Sequence, residues 1–289
     1  MTRRAFTAVL CSFALASGAW LAAQSISLPN ASGSVKFAVI GDSGSGDQSQ
    51  FQIAAEMAKL RQNFKFDRVI MLGDNIYGGQ SAKDLDKKFA QPYKDLLKDG
   101  VDFYAALGNH DSQENRNYAP FHMGGERYYT HTMKNVRFFV LDTDQLDPKQ
   151  RTWIEDQLKA ATEPWKIVYF HHPLYSDGAT HGSDVNLRVV LEPLFVKYGV
   201  SVVFAGHDHI YERFKPQKGI THFVSGSAGQ LRTGDYQKSD QAAAGYDADY
   251  TFMLVEINGS DMTFQSINRS GQIVDSGVVH VVVAPKAGL

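Results

Sequence analysis

The stretch Arg68-Val69-Ile70-Met71-Leu72-Gly73-Asp74-Asn75-Ile76-Tyr77 decides how this chain is read. Its apolar run is too short for a helix and reads as a strand buried on both faces. The strand stops at Gly73 and hands the chain to Asp74, Asn75 and Tyr77, side chains that carry oxygen donors. Ligand sites of open α/β sheets form where such strands end.

The same pattern recurs on both sides of it. Val35–Ile40 runs into Gly41-Asp42-Ser43-Gly44, and residues 101–107 run into Gly108-Asn109-His110-Asp111. Residues 166–170 run into His171-His172-Pro173, and residues 201–205 into Gly206-His207-Asp208-His209. Taken singly, a Gly-Asp pair is a common turn and a histidine after a strand is commonly a hydrogen-bonded structural residue. In series, these motifs bring Asp, Asp, Asn, His and His-x-His to one rim. Carboxylates neutralise and bridge ions, imidazoles suit iron, zinc and manganese, and an amide oxygen completes a shell. The spacing therefore points to a metal centre.

Between the strands lie helical stripes. Ile53, Met57, Leu60 and Phe64 mark one, and Ile154, Leu158 and Ala161 another. Leu187, Val190, Leu191, Leu194 and Phe195 mark a third, ending at Gly199. A further strand is expected at residues 137–141. The last third is strand-rich: residues 251–257 and 263–268 are joined through Asn258-Gly259, a hairpin signal, and residues 277–283 follow as another strand. Alternating strands and helices with a strand-rich end predict an α/β fold of two stacked mixed β-sheets flanked by helices. The Gly-, Ser- and Asp-rich residues 226–248 are too long for a connector and read as a wall of the site. Arg232, Tyr236 and Tyr246 are its candidate substrate contacts.

The chain has 289 residues and is 43% hydrophobic, enough for one large domain with a substantial core. A net charge of −2 argues against a general nucleic-acid binder. Arg3 and Arg4, the uncharged apolar run 5–23 and the ending Leu21-Ala22-Ala23 read as a signal peptide over residues 1–23. Thr2-Arg3-Arg4-Ala5-Phe6 also resembles a twin-arginine signal. A linker at 24–34 and one domain at 35–289 follow. The expected location is secreted or periplasmic, without a stable membrane anchor after cleavage. The only cysteine, Cys11, lies in the leader, so the exported chain forms no disulfide.

The ordered motifs Gly-Asp-x-Gly, Gly-Asp-Asn-x-Tyr, Gly-Asn-His-Asp, His-x-Pro and Gly-His-x-His resemble those of the calcineurin-like metallophosphoesterases. Gly44 stands where many of that family carry a histidine, and Tyr77 is available in its place, as in the purple acid phosphatases. The resemblance covers nearly the whole chain after residue 37 and implies a four-layer αββα sandwich. It implies two metal ions: Fe³⁺ on Asp42, Tyr77 and His209, and Fe²⁺, Zn²⁺ or Mn²⁺ on Asn109, His171 and His207, with Asp74 bridging. It further implies hydrolysis of phosphate monoesters by direct attack of metal-bound hydroxide. His110 and His181 would bind the phosphoryl group and protonate the leaving alcohol, and His172 would be a pocket wall. A small phosphate ester is the expected partner, and a phosphodiesterase on the same centre is the alternative. Residues 143–150 are short where the small animal enzymes carry a cleavable inhibitory loop, so no proteolytic activation is expected there.

A rival reading takes Gly41-Asp42-Ser43 as the opening of an SGNH-type serine esterase, with Ser43 as nucleophile. That family also needs Gly-x-Asn-Asp and a late Asp-x-x-His, whereas this chain has Gly-Asn-His-Asp and an over-wide Asp275 to His280.

Overall fold

Residues 27–281 are described by the computed structural model. β1 (Val35–Ile40), α1 (Gln48–Arg61) and β2 (Arg68–Met71) open the domain. A helical excursion follows: α2 (Ala82–Leu85), a π-helical turn (Asp86–Ala90) and α3 (Lys94–Lys98). It returns to β3 (Asp102–Ala105), the hairpin β4 (Tyr129–Met133) and β5 (Val136–Val140), and α4 (Pro148–Ala160). β6 (Trp165–Tyr169), α5 (Val185–Lys197) and β7 (Val202–Ala205) complete the alternating part. β8 (Tyr211–Phe214), β9 (Thr221–Ser225), β10 (Ala242–Tyr246), β11 (Thr251–Asn258), β12 (Asp261–Asn268) and β13 (Ile273–His280) finish it.

Strands that are apolar on both faces need cover on both faces. They find it in two sheets, ordered β13-β12-β11-β1-β2-β3 and β10-β8-β9-β7-β6-β5-β4. β1, β2 and β3 are parallel, as are β5, β6, β7 and β9. The other pairings are antiparallel, so both sheets are mixed. Three apolar layers hold the sandwich. Phe37, Val39, Ile70, Phe138 and Phe204 fill the space between the sheets. Ile53 and Met57 of α1 cover the first sheet. Ile154, Leu158, Leu191 and Phe195 of α4 and α5 cover the second. This is the expected arrangement of two stacked sheets flanked by helices.

Helix starts follow their caps. Asp147 accepts from Gln150 N–H ahead of Pro148, and Asp184 accepts from Leu187 N–H at 2.9 Å. α1 ends at Arg61, so Phe64 of the first stripe packs just beyond the helix. β4, β8, β9 and β10 fall in segments that the sequence reading left without strands. They carry polar residues such as His131, Glu212 and His222, which break the apolar run. The strand expected from 277 begins at Ile273, and its expected end at 282–283 lies outside the described residues. The leader at 1–23 lies outside them too. Residues 30–34 of the expected linker are tied down: Asn30 N–H, Ala31 N–H and the Ser34 hydroxyl all donate to the Glu256 carboxylate.

Candidate metal centre

The loops that leave β1, β2, β3, β6 and β7 converge on one buried rim. Asp42, Asp74 and His207 each take a left-handed backbone, with φ of 54°, 51° and 71°. Asp and His tolerate this region better than most residues, yet it costs about 1–3 kcal/mol each and such strain clusters at functional sites. Side-chain volume is also sacrificed. A Cβ on Gly108 would collide with the Asp74 carboxylate, and one on Gly206 with that of Asp42.

Two sets of donor atoms result. In the first, Tyr77 OH lies 3.0 Å from Asp42 Oδ1 and 3.1 Å from His209 Nε2. His209 Nε2 is 3.5 Å from Asp42 Oδ1, which closes the triangle. In the second, His171 Nε2 lies 3.0 Å from Asn109 Oδ1, 3.1 Å from His207 Nδ1 and 3.4 Å from Asp74 Oδ1. Atoms bound 2.0–2.2 Å from one ion stand roughly 3.0–3.5 Å apart at tetrahedral or octahedral angles. Both sets have that spacing. Asp74 reaches both sets: its carboxylate forms one group with Asp42 of the first and His171 of the second, their ligand atoms all within 4.8 Å of one another.

The protonation chemistry suits a cation. His171 Nδ1 faces the Leu72 carbonyl at 3.0 Å; a carbonyl only accepts, so Nδ1 carries the proton and Nε2 offers its lone pair. Burial drives the His171 pKa far down, that of His207 down to about 2 and that of His209 down to about 4. All three stay neutral, the state that ligates metal. Burial, and then the neighbouring Asp74, pushes Asp42 well up; burial also raises Asp74. The Tyr77 phenol is raised by burial and by Asp42 and Asp74. A cation between these groups would reverse each carboxylate and phenol shift. The residues present therefore fit two metal ions.

Gly44 explains the exchange of histidine for tyrosine. A Cβ there would overlap the Asn75 carbonyl, so no side chain fits at that position and the donor must come from Tyr77. Lys88, on the π-helical turn, donates to the Tyr77 and Gly79 carbonyls and fixes that loop.

His110 and His181 flank the centre. His110 is exposed, packs its ring at a tilt against Tyr77 with centroids 4.7 Å apart and places Nε2 4.0 Å from Asp74 Oδ2. His181 lies over His207 with ring centroids 4.1 Å apart. His172 packs its ring on His207 at 4.5 Å, but its Nδ1 is engaged by the Thr143 hydroxyl at 3.0 Å. It belongs to a three-histidine cluster with His171 and His207 and, with His181, lines a cavity of about 520 Å³ beside them.

Two supporting acids escaped the sequence reading. Asp111 is half-buried and accepts from the N–H groups of Gly108, Asn75 and Ile76, locking two rim loops together. Burial and Asp74 push it up to about 7. Asp208 accepts from the Ser176 hydroxyl and Gly182 N–H and so holds the loop that carries His181. Their place inside Gly-Asn-His-Asp and His-Asp-His was the only available signal.

Of the expected loop contacts, Arg232 alone bonds a ligand loop, through its N–H to the His209 carbonyl at 3.1 Å. Tyr236 presses its ring against Gly245 of β10, and Tyr246 packs on the core between the sheets. Residues 226–248 thus split into a wall near Arg232 and an added strand. Ser43 is buried, and among the described residues no histidine bonds to it. Asp275 is paired with Arg213 and His280 with Asp261, so the serine-esterase reading has no triad.

A family model for calcineurin-like phosphoesterases matches residues 35–211. Human tartrate-resistant acid phosphatase type 5 is 28% identical, over 88% of this chain and 94% of its own length. A purple acid phosphatase from yellow lupin seeds has the same fold, with a TM-score of 0.71 at 20% identity, over 88% of this chain and 55% of that one. GAP50, described as the anchor in the inner membrane complex of Plasmodium, matches at a TM-score of 0.73 and 18% identity, over 87% and 90%. A likeness of fold to an anchor fixes no activity, so the rim has to carry that argument. With donors spaced around two points, and with a family model spanning all the loops that bring them there, the chain belongs to the calcineurin-like phosphoesterases, a dimetal family, and is related within it to the purple acid phosphatases.

Proposed function

We propose that this chain is an exported phosphatase that releases phosphate from small monoesters in mildly acidic to neutral surroundings. One observation carries the reading: two donor sets with ligand-like spacing, and Asp74 grouped with Asp42 of the first and His171 of the second. Asp42, Asp74, Tyr77 and His209 would hold one ion, Fe³⁺ by its phenolate and carboxylate donors. Asp74, Asn109, His171 and His207 would hold the second, Fe²⁺, Zn²⁺ or Mn²⁺. Bound together, the ions supply an activated water and neutralise phosphoryl charge.

The chain's own groups do the rest. His110, exposed beside Asp74, offers an N–H to a phosphoryl oxygen. His181, at the edge of the cavity beside His207, is placed to give a proton to the departing alkoxide. The Asp208 contacts hold its loop in place. The small net charge and the lone leader cysteine suit a soluble substrate and an exported chain.

Protein purified with iron and a divalent metal is to be tested with p-nitrophenyl phosphate between about pH 4 and 8. Turnover that chelation abolishes supports the reading; no turnover with both metals bound contradicts it. A visible phenolate-to-iron band lost in Tyr77→Phe supports iron at the first set. An N-terminus at Gln24 in the exported protein supports cleavage after Ala23.

A further inference from the structure

The wall of the centre holds a charged group that nothing in the fold uses. Arg232 follows Gly226–Gly229 on the loop that leaves β9, and its backbone N–H bonds the His209 carbonyl at 3.1 Å. The side chain is half-buried, and its Nη1 is enclosed yet has no hydrogen-bond partner among the described residues. Asp235 does not complete it: its Oδ1 accepts from the Thr180 hydroxyl at 2.5 Å, its enclosed Oδ2 also has no hydrogen-bond partner, and no ion pair joins Asp235 to Arg232 among the described residues.

The loop is not loose. Ala179 N–H bonds Asp235 O at 2.8 Å and Gln237 N–H bonds Asp177 O at 2.9 Å. Ser239 N–H bonds the Asp177 carboxylate at 2.7 Å, and Gly178 pairs with Tyr236 as an isolated bridge. Residues 232–239 are therefore clamped along the segment that carries His181, so Arg232 and His181 belong to one rigid wall. Through the Arg232 N–H on the His209 carbonyl, this wall is tied directly to the loop that carries a rim ligand.

An enclosed guanidinium N–H without a partner is rare and costly, and each case needs an explanation. The guanidinium fork matches phosphate oxygens. A permanent cation beside the rim also adds attraction for dianionic phosphate.

We propose that Arg232 is a phosphate-binding residue of this site, taking a non-bridging oxygen of the phosphoryl group and so favouring monoester dianions over diester monoanions. This rests on the phosphatase reading above, whose failure is separately visible.

The test is binding of inorganic phosphate to the dimetal protein by calorimetry, with metal content measured on each sample. Arg232→Gln should weaken phosphate binding by about tenfold or more, the worth of a charge-assisted bond, while keeping both metals. Arg232→Lys should recover part of the loss. The preference for p-nitrophenyl phosphate over bis(p-nitrophenyl) phosphate should fall alongside. Phosphate affinity within about twofold of wild type in a dimetal Arg232→Gln protein overturns the assignment, since a lost charge-assisted bond costs more. If that variant loses its metals, phenylglyoxal labelling of wild type decides: phosphate should protect Arg232, and equal labelling with and without phosphate overturns the proposal. A wild-type dimetal protein that binds no phosphate overturns this proposal and the phosphatase reading together.

Discussion

At the rim, Asp42 and Asp74 lie buried side by side, and burial followed by the Asp74 charge raises the proton affinity of Asp42 and of the half-buried Asp111. No lysine or arginine pairs with any of them among the described residues. On the antiparallel flank of the same sheet the acids are satisfied. Asp275 on β13 accepts from Tyr211 OH and binds Arg213 through two oxygens, at 2.7 and 3.0 Å. Glu256 on β11 takes donors from Asn30, Ala31 and Ser34. A buried carboxylate is tolerated when its partners are complete and is costly when they are not. The flank is complete as a polypeptide. The rim is complete only with cations.

The contrast can be broken most severely at its centre. Asp74→Ala should remove both metals and lower phosphatase activity by more than about 10³-fold, beyond the loss of a single stabilising donor. Elemental analysis and turnover on the same sample check it, and two ions retained would put the bridge elsewhere.

Asp111→Asn keeps the shape but weakens the clamp on Gly108, Asn75 and Ile76. Metal affinity or activity should drop about 10–100-fold, as for other partners that orient ligands. A metal titration reads this directly.

The flank should answer in a different quantity. Asp275→Ala strands Arg213 and Tyr211, and should cost about 2 kcal/mol, since the partial exposure of Arg213 keeps the pair below a fully buried one. Denaturant unfolding should show the loss, while turnover per bound metal stays unchanged. A variant that lost activity at equal metal content would join the two regions functionally.

The last effect is absent at neutral pH and concerns His222, on β9 under α5 and away from the rim. Burial pushes its pKa down to about 3, and its Nε2 has no partner among the described residues. The folded chain therefore keeps it neutral while the unfolded chain protonates it near pH 6.5. The unfolded state binds more protons across that interval, so this stability is full above 6.5 and falls with acid by up to about 1.4 kcal/mol per pH unit. His222→Leu should flatten the acid limb between pH 6.5 and about 3. An unchanged slope would show that other groups set it.

The rim was legible because each ligand sits where an apolar run stops, a local pattern. Gly44 and Tyr77 were legible as a pair, but the reason is tertiary: the Asn75 carbonyl occupies the space a side chain would need. The supporting acids were not legible, because Asp111 and Asp208 act across loops distant in sequence. β8 and β9 were missed for a related reason. Glu212 and His222 are polar yet buried, and a pattern of apolar residues gives no sign of them. Tyr236 and Tyr246 looked like contacts from a loop composition that hides β10, which turns both rings into the fold.

The most direct test of the dimetal rim is anomalous diffraction from crystals grown with manganese. Two peaks about 3.5–4 Å apart on either side of the Asp74 carboxylate, one beside Tyr77 and one beside His171, are the predicted result. A single peak, or one centred on His172 with none beside Tyr77, would contradict it.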